Sequence, residues 1–556
     1  MRLKSAANGI DDRNHSTVPS RVWTSSRAET YRFCQKLSAW RSGSTPVTDV
    51  PFILLPGPFS LTAPGLVCIS YFEDQHLTLF KMNRFPKASN QLGIHCAFML
   101  GSTTESIFEN KFEHAIASAI VQHPLFTVGR INEASKKQYW VRLDHIDFNN
   151  HITWQTVSEE EDHRKALDAA LNWQANERYT ELETRPQWRA TILKSAKGNF
   201  VDVVFAWDHT VGDGKSGGFF HDSLLACLNQ KPDNDTITLD DRYFKVPVTE
   251  FTPPLHHLLK LPVSPSFIVS TFSQDLFSQS KSDKLPHTAN WAPIKMEPFE
   301  SRLRSITLPN DVLKPVLDAC RRQETTLTAL LHSLISVSMA TRLAEDEARA
   351  FECGTPICLR QFQKPGMSKV DLKKTAINSV VYWPYKFEPG VVATIRQQVS
   401  DAQASQELNK EIEDTVWSVA KSIRKGLSAK LKLGAKNDTL GLAKFITDWK
   451  SYLLDHAKTR THSWEVSNLG VMQGDMAGNT GTEDYWRIED ATFTQSASVC
   501  GPALTFSVIS VKGEGITISC SWQTGVIDDG LAEGVSKDIG MWLNGLGRNG
   551  CINFTE

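Results

Sequence analysis

Apolar residues recur at helical spacing in the first part of the chain. Over about residues 106–123, Phe112, Ile116 and Ile120 fall four positions apart, which predicts an amphipathic helix. Pro124 follows at once and ends that helix, because proline cannot continue the backbone hydrogen-bond ladder. A further helix is predicted at about 164–175. In the second half a similar pattern begins at a threonine, in ETTLTALLHSLISVSMATRL.

Between these helices, short runs of β-branched and aromatic residues predict strands. The strands are predicted at 187–196, 200–207, 353–360 and 378–385. Near the end of the chain, two alternating runs flank Gly513-Glu514-Gly515, a pattern typical of a β-hairpin. Helices and strands therefore mix in both halves. We expect an α/β fold class, with two domains of about 250 residues each.

Changes in composition suggest the limits of these domains. Residues 1–20 are polar and predicted to be a disordered N-terminus. The N-terminal domain is predicted over 21–275, beginning with a helix, and the C-terminal domain over 301–556. Between them, residues 276–300 are rich in Pro, Ser and Lys and predict a crossover linker. Residues 51–93, which several prolines interrupt, receive no structural prediction.

The charge balance narrows the function. The chain has 556 residues, with 60 Lys and Arg against 62 Asp and Glu, so its formal net charge is −2. That balance argues against a nucleic-acid-binding protein, which needs a basic field over its binding face. No run reaches the roughly 20 apolar residues of a membrane-spanning helix, and the polar start lacks the apolar core of a secretory signal. We expect a cytoplasmic protein without a transmembrane segment.

The cysteines indicate neither a metal site nor a disulfide framework. Ten cysteines are scattered along the chain, and none forms a C-x-x-C pair. Metal ligands and disulfide frameworks show clustered or regular spacing instead. We expect buried, reduced thiols and no bound metal.

The segment FVDVVFAWDHTVGDGKSGGFFHDSLLACL, residues 200–228, holds several overlapping motifs. Gly212-x-Gly214-x-x-Gly217 matches a dinucleotide fingerprint, but polar Asp208 and His209 end the strand where an apolar floor is required. Gly214-Lys215-Ser216 matches the tail of a phosphate-binding loop whose first glycine would fall at His209. Both interpretations conflict with their surroundings.

Two catalytic interpretations of the same segment remain. Gly214-x-Ser216-x-Gly218 matches a nucleophile elbow, which needs a downstream acid and histidine; His462 is the one late histidine that suits. Alternatively, His209-x-x-x-Asp213-Gly214 places a histidine just past a buried strand, where it can act as a general base.

The loop around that histidine has a plain structural interpretation as well. Gly212 and Gly214 allow a tight turn, and Asp213 is more suited to fixing the loop than to relaying a proton. His209 can equally be a partly buried loop histidine, with Asp213 as the N-cap of the following helix. Sequence alone leaves these alternatives open.

Several segments together resemble the fungal-type alcohol acetyltransferase family. This family belongs to the chloramphenicol acetyltransferase-like superfamily, which also holds plant BAHD acyltransferases and condensation domains. The similar segments are DHTVGDG with its H-x-x-x-D-G motif, FEHAIASAIVQHPLFTVGRI, FTPPLHHLL, the Thr-led helix, GTPICLRQF, NSVVYWPY, TVWSVAKSIRKGL and the SNLG turn. The resemblance runs from about Arg21 to Asp529. Two features depart from it: Asp208 stands where the family often has a second histidine, and the plant-type DFGWG is absent.

This resemblance implies a fold, a reaction and roles for residues. It implies two similar domains, each a mixed sheet with flanking helices, with an active-site channel between them. His209 would deprotonate the acceptor hydroxyl, which attacks the acyl-CoA thioester without a covalent acyl-enzyme. Arg360 would pair with Asp213 and support the loop, although an exposed charge at a strand end is the alternative. Asn468 and Gly470 would shape the substrate channel, although a plain turn is equally consistent.

The expected function is therefore O-acyl transfer, with acetyl-CoA or another acyl-CoA as co-substrate and no bound cofactor. The acceptor is expected to be a small alcohol or a secondary-metabolite hydroxyl, and the enzyme a monomer. One alternative takes the acyl group from a carrier protein supplied in trans, as condensation domains do. Another is a catalytically idle binding protein on the same scaffold.

Overall fold

A computed structural model of the chain describes residues 66–68, 91–100, 109–133, 138–158, 161–196, 200–230, 237–278, 289–405, 410–438, 440–442, 460–475 and 485–554. The chain divides after Pro64 into two units, and the described residues all belong to the unit from Gly65 to Glu556. The predicted disordered N-terminus, the predicted first helix and most of residues 51–93 lie outside the described residues. Part of the predicted crossover, residues 279–288, does so as well.

Strands occur in both halves of the described chain. In chain order they are β1 Leu66–Cys68, β2 Gln91–Leu100, β3 Val128–Ile131, β4 Tyr139–Arg142, β5 His145–Asp147, β6 Ile152–Val157, β7 Trp188–Ser195, β8 Phe200–Asp208, β9 Tyr243–Lys245, β10 Ser301–Leu308, β11 Phe351–Cys358, β12 Val380–Phe387, β13 Trp464–Met472, β14 Trp486–Gln495, β15 Leu504–Val511 and β16 Ile516–Gln523.

Helices alternate with these strands. In chain order they are α1 Glu109–Val121, α2 His163–Asn176, α3 Gly214–Asn229, α4 Leu255–Leu258, α5 Pro265–Ser278, α6 Asn310–Arg322, α7 Leu327–Arg342, α8 Pro389–Ser405, α9 Lys410–Leu433 and α10 Asp529–Asn549. Short 3₁₀ turns cover Pro124–Thr127, Phe148–Asn150 and Leu359–Phe362. The predicted α/β fold class is confirmed.

Two large mixed sheets organise the described chain. The five-stranded sheet has the order β14-β2-β8-β7-β6, and the six-stranded sheet has the order β10-β16-β15-β13-β11-β12. In the first sheet β6 and β7 run parallel, while β8 is antiparallel to both of its neighbours. In the second sheet β13 runs parallel to β11 and β15, and the remaining pairs are antiparallel. Both sheets are therefore mixed, as the resemblance implies.

One strand from the later part of the chain completes the earlier sheet. β14 pairs antiparallel with β2 along nearly its whole length, from Trp486 opposite Leu100 to Gln495 opposite Leu92. The Gln91 backbone N–H also donates to the Ser496 hydroxyl, across 405 positions of sequence. The predicted domain limits at residues 275 and 301 stay a prediction, and β14 is an element that the two halves share.

Each sheet buries a separate apolar core under its helices. Helices α1 and α3 cover the five-stranded sheet, where the fully buried aromatic side chains include Phe205 and Trp207. Helices α6 to α10 cover one face of the six-stranded sheet around buried Trp464 and Trp522. The central strands β15 and β16 of the second sheet are buried on both faces, so the loops at the strand ends remain to form a site.

The predicted elements match the observed ones closely where they are described. The helix predicted at 106–123 is α1, and its Phe112, Ile116 and Ile120 are fully buried as the spacing predicts. The hairpin around Gly513 joins β15 to β16, and that glycine has a positive φ of 87°. The strand predicted at 353–360 ends earlier, at Cys358, because the chain turns into a 3₁₀ helix that contains Arg360.

Candidate active site

The segment singled out in the sequence forms a strand, a short loop and a helix. β8 ends at Asp208, and α3 begins at Gly214 after a loop of five residues that starts with His209. Packing across this unit holds the loop: the ring of Phe205 on β8 stacks on Phe220 of α3 with centroids 3.8 Å apart. The indole N–H of Trp207 donates to the Gly212 carbonyl over 2.9 Å. The loop is therefore fixed at both ends.

The glycines of the loop are needed for close packing. Neither Gly212 nor Gly214 is among the residues with positive φ. A Cβ on Gly212 would lie 2.6 Å from the Cβ of Ser216, and one on Gly214 would lie 2.6 Å from the Leu469 side chain. Both distances are shorter than any real Cβ contact, so the loop needs glycine there because neighbouring groups leave no space.

Asp213 caps α3 and at the same time pairs with an arginine from the second half. Its Oδ1 accepts hydrogen bonds from the Ser216 backbone N–H over 3.2 Å and from the Ser216 hydroxyl over 3.1 Å. Its Oδ2 lies 2.5 Å from Arg360 Nη1 and accepts the Ser379 backbone N–H over 2.9 Å. Burial acts to raise the pKa of Asp213, but Arg360 and these donors outweigh it and lower that pKa below its ordinary value.

Arg360 joins the loop to the segment just before β12. It is only 3% exposed, so the alternative of an exposed charge at a strand end is wrong. Its Nη2 donates to the Ile377 carbonyl over 2.5 Å and to the Thr375 carbonyl over 3.3 Å. Its guanidinium also lies 5.3 Å from the ring centroid of Phe219. The structure thus brings together Asp213 and Arg360, as the resemblance implies.

Ser216 takes part in this structural network and has no nucleophilic arrangement. It is fully buried, and its hydroxyl contacts the Asp213 carboxylate and the Ile377 backbone. Among the described residues no histidine hydrogen-bonds to it. His462 instead lies 3.2 Å from Glu352. The nucleophile-elbow interpretation therefore finds no support in this geometry.

His209 lies at the carboxyl end of β8, partly buried, where a side chain from the second half contacts it. Its Nδ1 lies 2.7 Å from the amide nitrogen of Asn378, which is also 3.3 Å from the His209 carbonyl. Burial lowers the pKa of His209 below its ordinary value, while Asp213 and Asp208 act in the opposite direction. The imidazole is therefore neutral at pH 7, the state that a general base requires.

Asp208, which stands where a second histidine is common, does not face solvent. It is 2% exposed, and its Oδ1 accepts hydrogen bonds from the Thr210 backbone N–H over 2.9 Å and from the Thr210 hydroxyl over 2.5 Å. Its carboxylate therefore shapes the turn after β8, and it acts on His209 as a nearby negative charge.

Asn468 and Gly470 lie within β13, beside the loop. The Asn468 side chain accepts the Gly470 backbone N–H over 2.8 Å and donates to the Thr328 hydroxyl over 3.1 Å. Gly470 has a φ of 78°, which favours glycine. Between them, the Leu469 carbonyl accepts a hydrogen bond from Lys215. These residues lie inside the strand, where the register of β13 against β15 shifts between Asn468 and Val471, and their role in the substrate channel stays a prediction.

Sequence reasoning missed Asn378 and the backbone of Ser379. Both belong to NSVVYWPY, which the sequence presented only as a strand. They lie just ahead of β12 and reach His209 and Asp213 across about 170 positions of sequence. An asparagine at the first position of a predicted strand was the available signal, and it is too common to stand out.

The described residues hold few other candidate sites. Within the described ranges, no helix is long and apolar enough to cross a membrane. No group of three or more His, Cys, Asp or Glu side chains among the residues described could hold a metal ion. No disulfide joins the eight cysteines from Cys96 to Cys551 whose side chains the structure describes, and each of them is buried or partly buried.

Solved structures with the same fold have been determined for several enzymes. The TRI3 trichothecene 15-O-acetyltransferase from Fusarium sporotrichioides matches with a TM-score of 0.61 at 12% identity, covering 84% of this chain and 94% of that one. The first condensation domain of the CDA synthetase matches with a TM-score of 0.54 at 11% identity, covering 88% and 98%. The predicted two-lobed, chloramphenicol acetyltransferase-like fold is confirmed.

Sequence comparison gives the family. The probable alcohol acetyltransferase FCK4 of Fusarium pseudograminearum is 27% identical over 498 residues, covering 84% of this chain and 95% of that protein. The probable alcohol acetyltransferase crmB of Aspergillus fumigatus is 24% identical over 444 residues, covering 77% and 88%. The sequence model of the alcohol acetyltransferase family matches residues 145–362 and 396–533, which include His209, Asp213 and Arg360. This chain is an acyltransferase and belongs to the alcohol acetyltransferase family.

Proposed function

We propose that this enzyme transfers an acetyl group from acetyl-CoA to a hydroxyl of a small alcohol, with His209 as the general base. The observation that carries the proposal is the arrangement around His209. A buried ion pair, Asp213 with Arg360, fastens its loop to the segment 375–379, and Asn378 of that segment contacts the imidazole. The base is therefore held between the two halves of the molecule.

The reaction follows from the state of the imidazole. Neutral His209 accepts the proton of the acceptor hydroxyl at Nε2, and the oxygen attacks the thioester carbonyl carbon to form a C–O bond. The tetrahedral intermediate then collapses, the C–S bond breaks and the thiolate of CoA leaves. The imidazolium returns the proton to that thiolate, so His209 ends neutral and no covalent acyl-enzyme forms.

The orientation of the Asn378 amide decides which imidazole nitrogen of His209 carries the proton and which has a lone pair. An asparagine side chain can present its amide nitrogen or, after a half-turn, its carbonyl oxygen at the same place. When the nitrogen donates to Nδ1, the proton of the neutral ring resides on Nε2, which is then unable to accept another. When the oxygen accepts from Nδ1–H, Nε2 carries a lone pair and can act as the base. The catalytic state is the second one, which gives up the hydrogen bond from the Asn378 amide nitrogen to the His209 carbonyl.

The acceptor proposed here is a hydroxylated small metabolite. TRI3, which has the same fold, is named as a trichothecene 15-O-acetyltransferase. A buried base between two lobes suits an acceptor of that size, because the lobes can enclose it and exclude water from the thioester.

The first experiment is release of the CoA thiol from acetyl-CoA with a panel of alcohols. Release that depends on the alcohol should fall about 10²–10⁴-fold in His209→Ala, the usual contribution of a general base. Ser216→Ala is the discriminating variant, because a hydrolase acting through Ser216 would lose its activity there. Release without any alcohol, unaffected by His209→Ala, would overturn the proposal.

The same assay separates the possible acyl donors. A free acyl-CoA should turn over if the donor is CoA-bound. Turnover only with a carrier-protein thioester would identify the condensation-type reaction that the fold also serves. Binding of alcohols without turnover of either donor would identify a binding protein.

A further inference from the structure

Glu465 is a partly buried carboxyl that no basic side chain neutralises among the described residues. It lies on β13, where burial raises its pKa to about 7 although the neighbouring Gln495 side chain acts to lower it. Five other buried carboxylates of this protein face a basic group. They are Asp213 with Arg360, Asp202 with His95, Glu113 with Arg242, Asp438 with Lys430 and Asp538 with Arg342. Glu465 therefore lacks a cation that its surroundings favour.

A second group beside it also lacks a partner. The hydroxyl of Tyr382 is buried and makes no hydrogen bond within the described part of the chain. Burial raises the pKa of this phenol well above its ordinary value, and the nearby Glu465 and Glu352 raise it further. Buried hydroxyl groups in proteins are almost always hydrogen-bonded, so this phenol has hydrogen-bonding capacity that a ligand can satisfy.

The sheet register brings these two groups onto one face. Gly354 of β11 pairs with Glu465 of β13, and paired residues project their side chains on the same side. Where a Cβ of Gly354 would lie, the phenol oxygen and Cζ of Tyr382 are only 1.7 Å away. The phenol therefore lies flat over Gly354, directly beside the position from which Glu465 projects.

Both groups stand on strands that reach the catalytic loop. Tyr382 is four residues beyond Asn378, which contacts His209, and Glu465 is four residues before Leu469, which lies against Gly214. At about 3.3 Å per residue, four positions of extended chain span up to roughly 13 Å. A small molecule of that length can place one end at His209 and the other at this pair.

We propose that Glu465 and Tyr382 form a subsite for a protonated amino group on the acceptor alcohol. The ammonium group donates to the Glu465 carboxylate and to the phenol oxygen, which satisfies both orphan groups at once. It also neutralises a carboxyl that is otherwise costly to ionise in this position. The phosphates of CoA would be repelled there, so the subsite serves the acceptor. This inference rests on the proposed function and names its acceptor as an amino alcohol.

The test uses the full chain and three ligands with one carbon skeleton: 8-aminooctan-1-ol, octane-1,8-diol and octan-1-ol. Calorimetry without acetyl-CoA measures binding alone. The amino alcohol should bind at least about tenfold more tightly than octan-1-ol, the factor that one hydrogen bond to a charged group supplies. Glu465→Gln should bring that ratio close to one, and Tyr382→Phe should reduce it in part.

A matched control is Glu352→Gln. Glu352 lies on the adjacent strand and already pairs with His462 and Lys386. Because His462 also packs against the Tyr382 ring, with centroids 5.0 Å apart, the loss of Glu352 should reduce the preference for the amine less than the loss of Glu465. Equal affinity for the three ligands, tighter binding of the diol, or an unchanged ratio in Glu465→Gln would each overturn the subsite.

Turnover of octan-1-ol with acetyl-CoA tests the proposed function separately. If the enzyme prefers the amine through Glu465 but turns over no alcohol, acetyl transfer is refuted and the subsite is kept. If octan-1-ol is turned over but the amine is not preferred, the subsite is refuted and acetyl transfer is kept.

Discussion

Burial lowers the pKa of His209 and the nearby carboxylates raise it, and the effect of burial is the larger one. Its pKa is lowered from the ordinary value, so the neutral ring exists down to mildly acidic pH. A base must be unprotonated to act, which means that kcat/KM rises with pH through this lowered pKa and is flat above it. We expect the acid limb of the kcat/KM profile below pH 6.5. An acid limb above pH 7 would show that the carboxylates prevail.

Asn378 should control that profile through Nδ1. Asn378→Asp keeps the shape, accepts a hydrogen bond from Nδ1–H and adds a negative charge, so the acid limb should move to higher pH while activity above it is retained. Asn378→Leu removes the partner and should lower kcat at every pH. The matched control is Ser379→Ala, because the Ser379 hydroxyl makes no hydrogen bond among the described residues. A purely structural Asn378 would lower stability in both variants without moving the limb.

The ion pair between Asp213 and Arg360 is suited to a double-mutant cycle. Either single variant, Asp213→Asn or Arg360→Met, leaves a buried partner uncompensated and should cost about 3–5 kcal/mol in the free energy of unfolding. The double variant should cost less than the sum, because neither buried group is then left charged and alone. Activity should fall in all three variants, since each loosens the loop that holds His209. Urea denaturation measures the energies, and full activity in Arg360→Met would contradict the assigned role.

At the scale of elements, the strand–loop–helix unit depends on how closely α3 approaches β8. A Cβ on Gly217 would lie 2.1 Å from the Trp207 ring, whereas one on the adjacent Gly218 would have no atom within 4 Å. Gly217→Ala should therefore cost about 1–3 kcal/mol of stability by overpacking and lower activity through the loop. Gly218→Ala should instead stabilise by up to about 1 kcal/mol, because alanine favours the helix. Similar melting temperatures for the two variants would contradict this account.

This unit was also the part of the site most accessible from sequence. Its strand, loop and helix are contiguous, so the local pattern predicted them, and family resemblance supplied Arg360 from 147 positions away. Asn378 and the Tyr382–Glu465 pair escaped prediction for a common physical reason. Their neighbours are set by strand register in the second sheet, which one sequence does not specify. The pairing of β14 with the earlier sheet was not predicted either, because strand pairing between distant segments is likewise not specified by one sequence.

At the scale of the whole molecule, a single buried arginine ties the predicted crossover segment to the loop that follows the shared strand β14. Arg460 donates to the Ala292 carbonyl and to the carbonyls of four residues between 498 and 502. Arg460→Leu would leave these buried acceptors without a donor. We expect a loss of about 2–4 kcal/mol in the free energy of unfolding, with a lower Tm. Lys as a replacement should recover only part of it, because an ammonium cannot reach carbonyls on several sides.

The shared strand also bears on how the chain is made. While a ribosome synthesises the protein, β2 emerges early, but its outer neighbour lies about 400 residues further on. At roughly 5–20 residues per second, the nascent chain waits on the order of 20–80 s before that edge is covered. An uncovered strand edge is a template for pairing with other chains. Until translation reaches β14, the newly made enzyme therefore carries its greatest exposure to aggregation, and chaperones that bind strand edges are best placed to act in that interval.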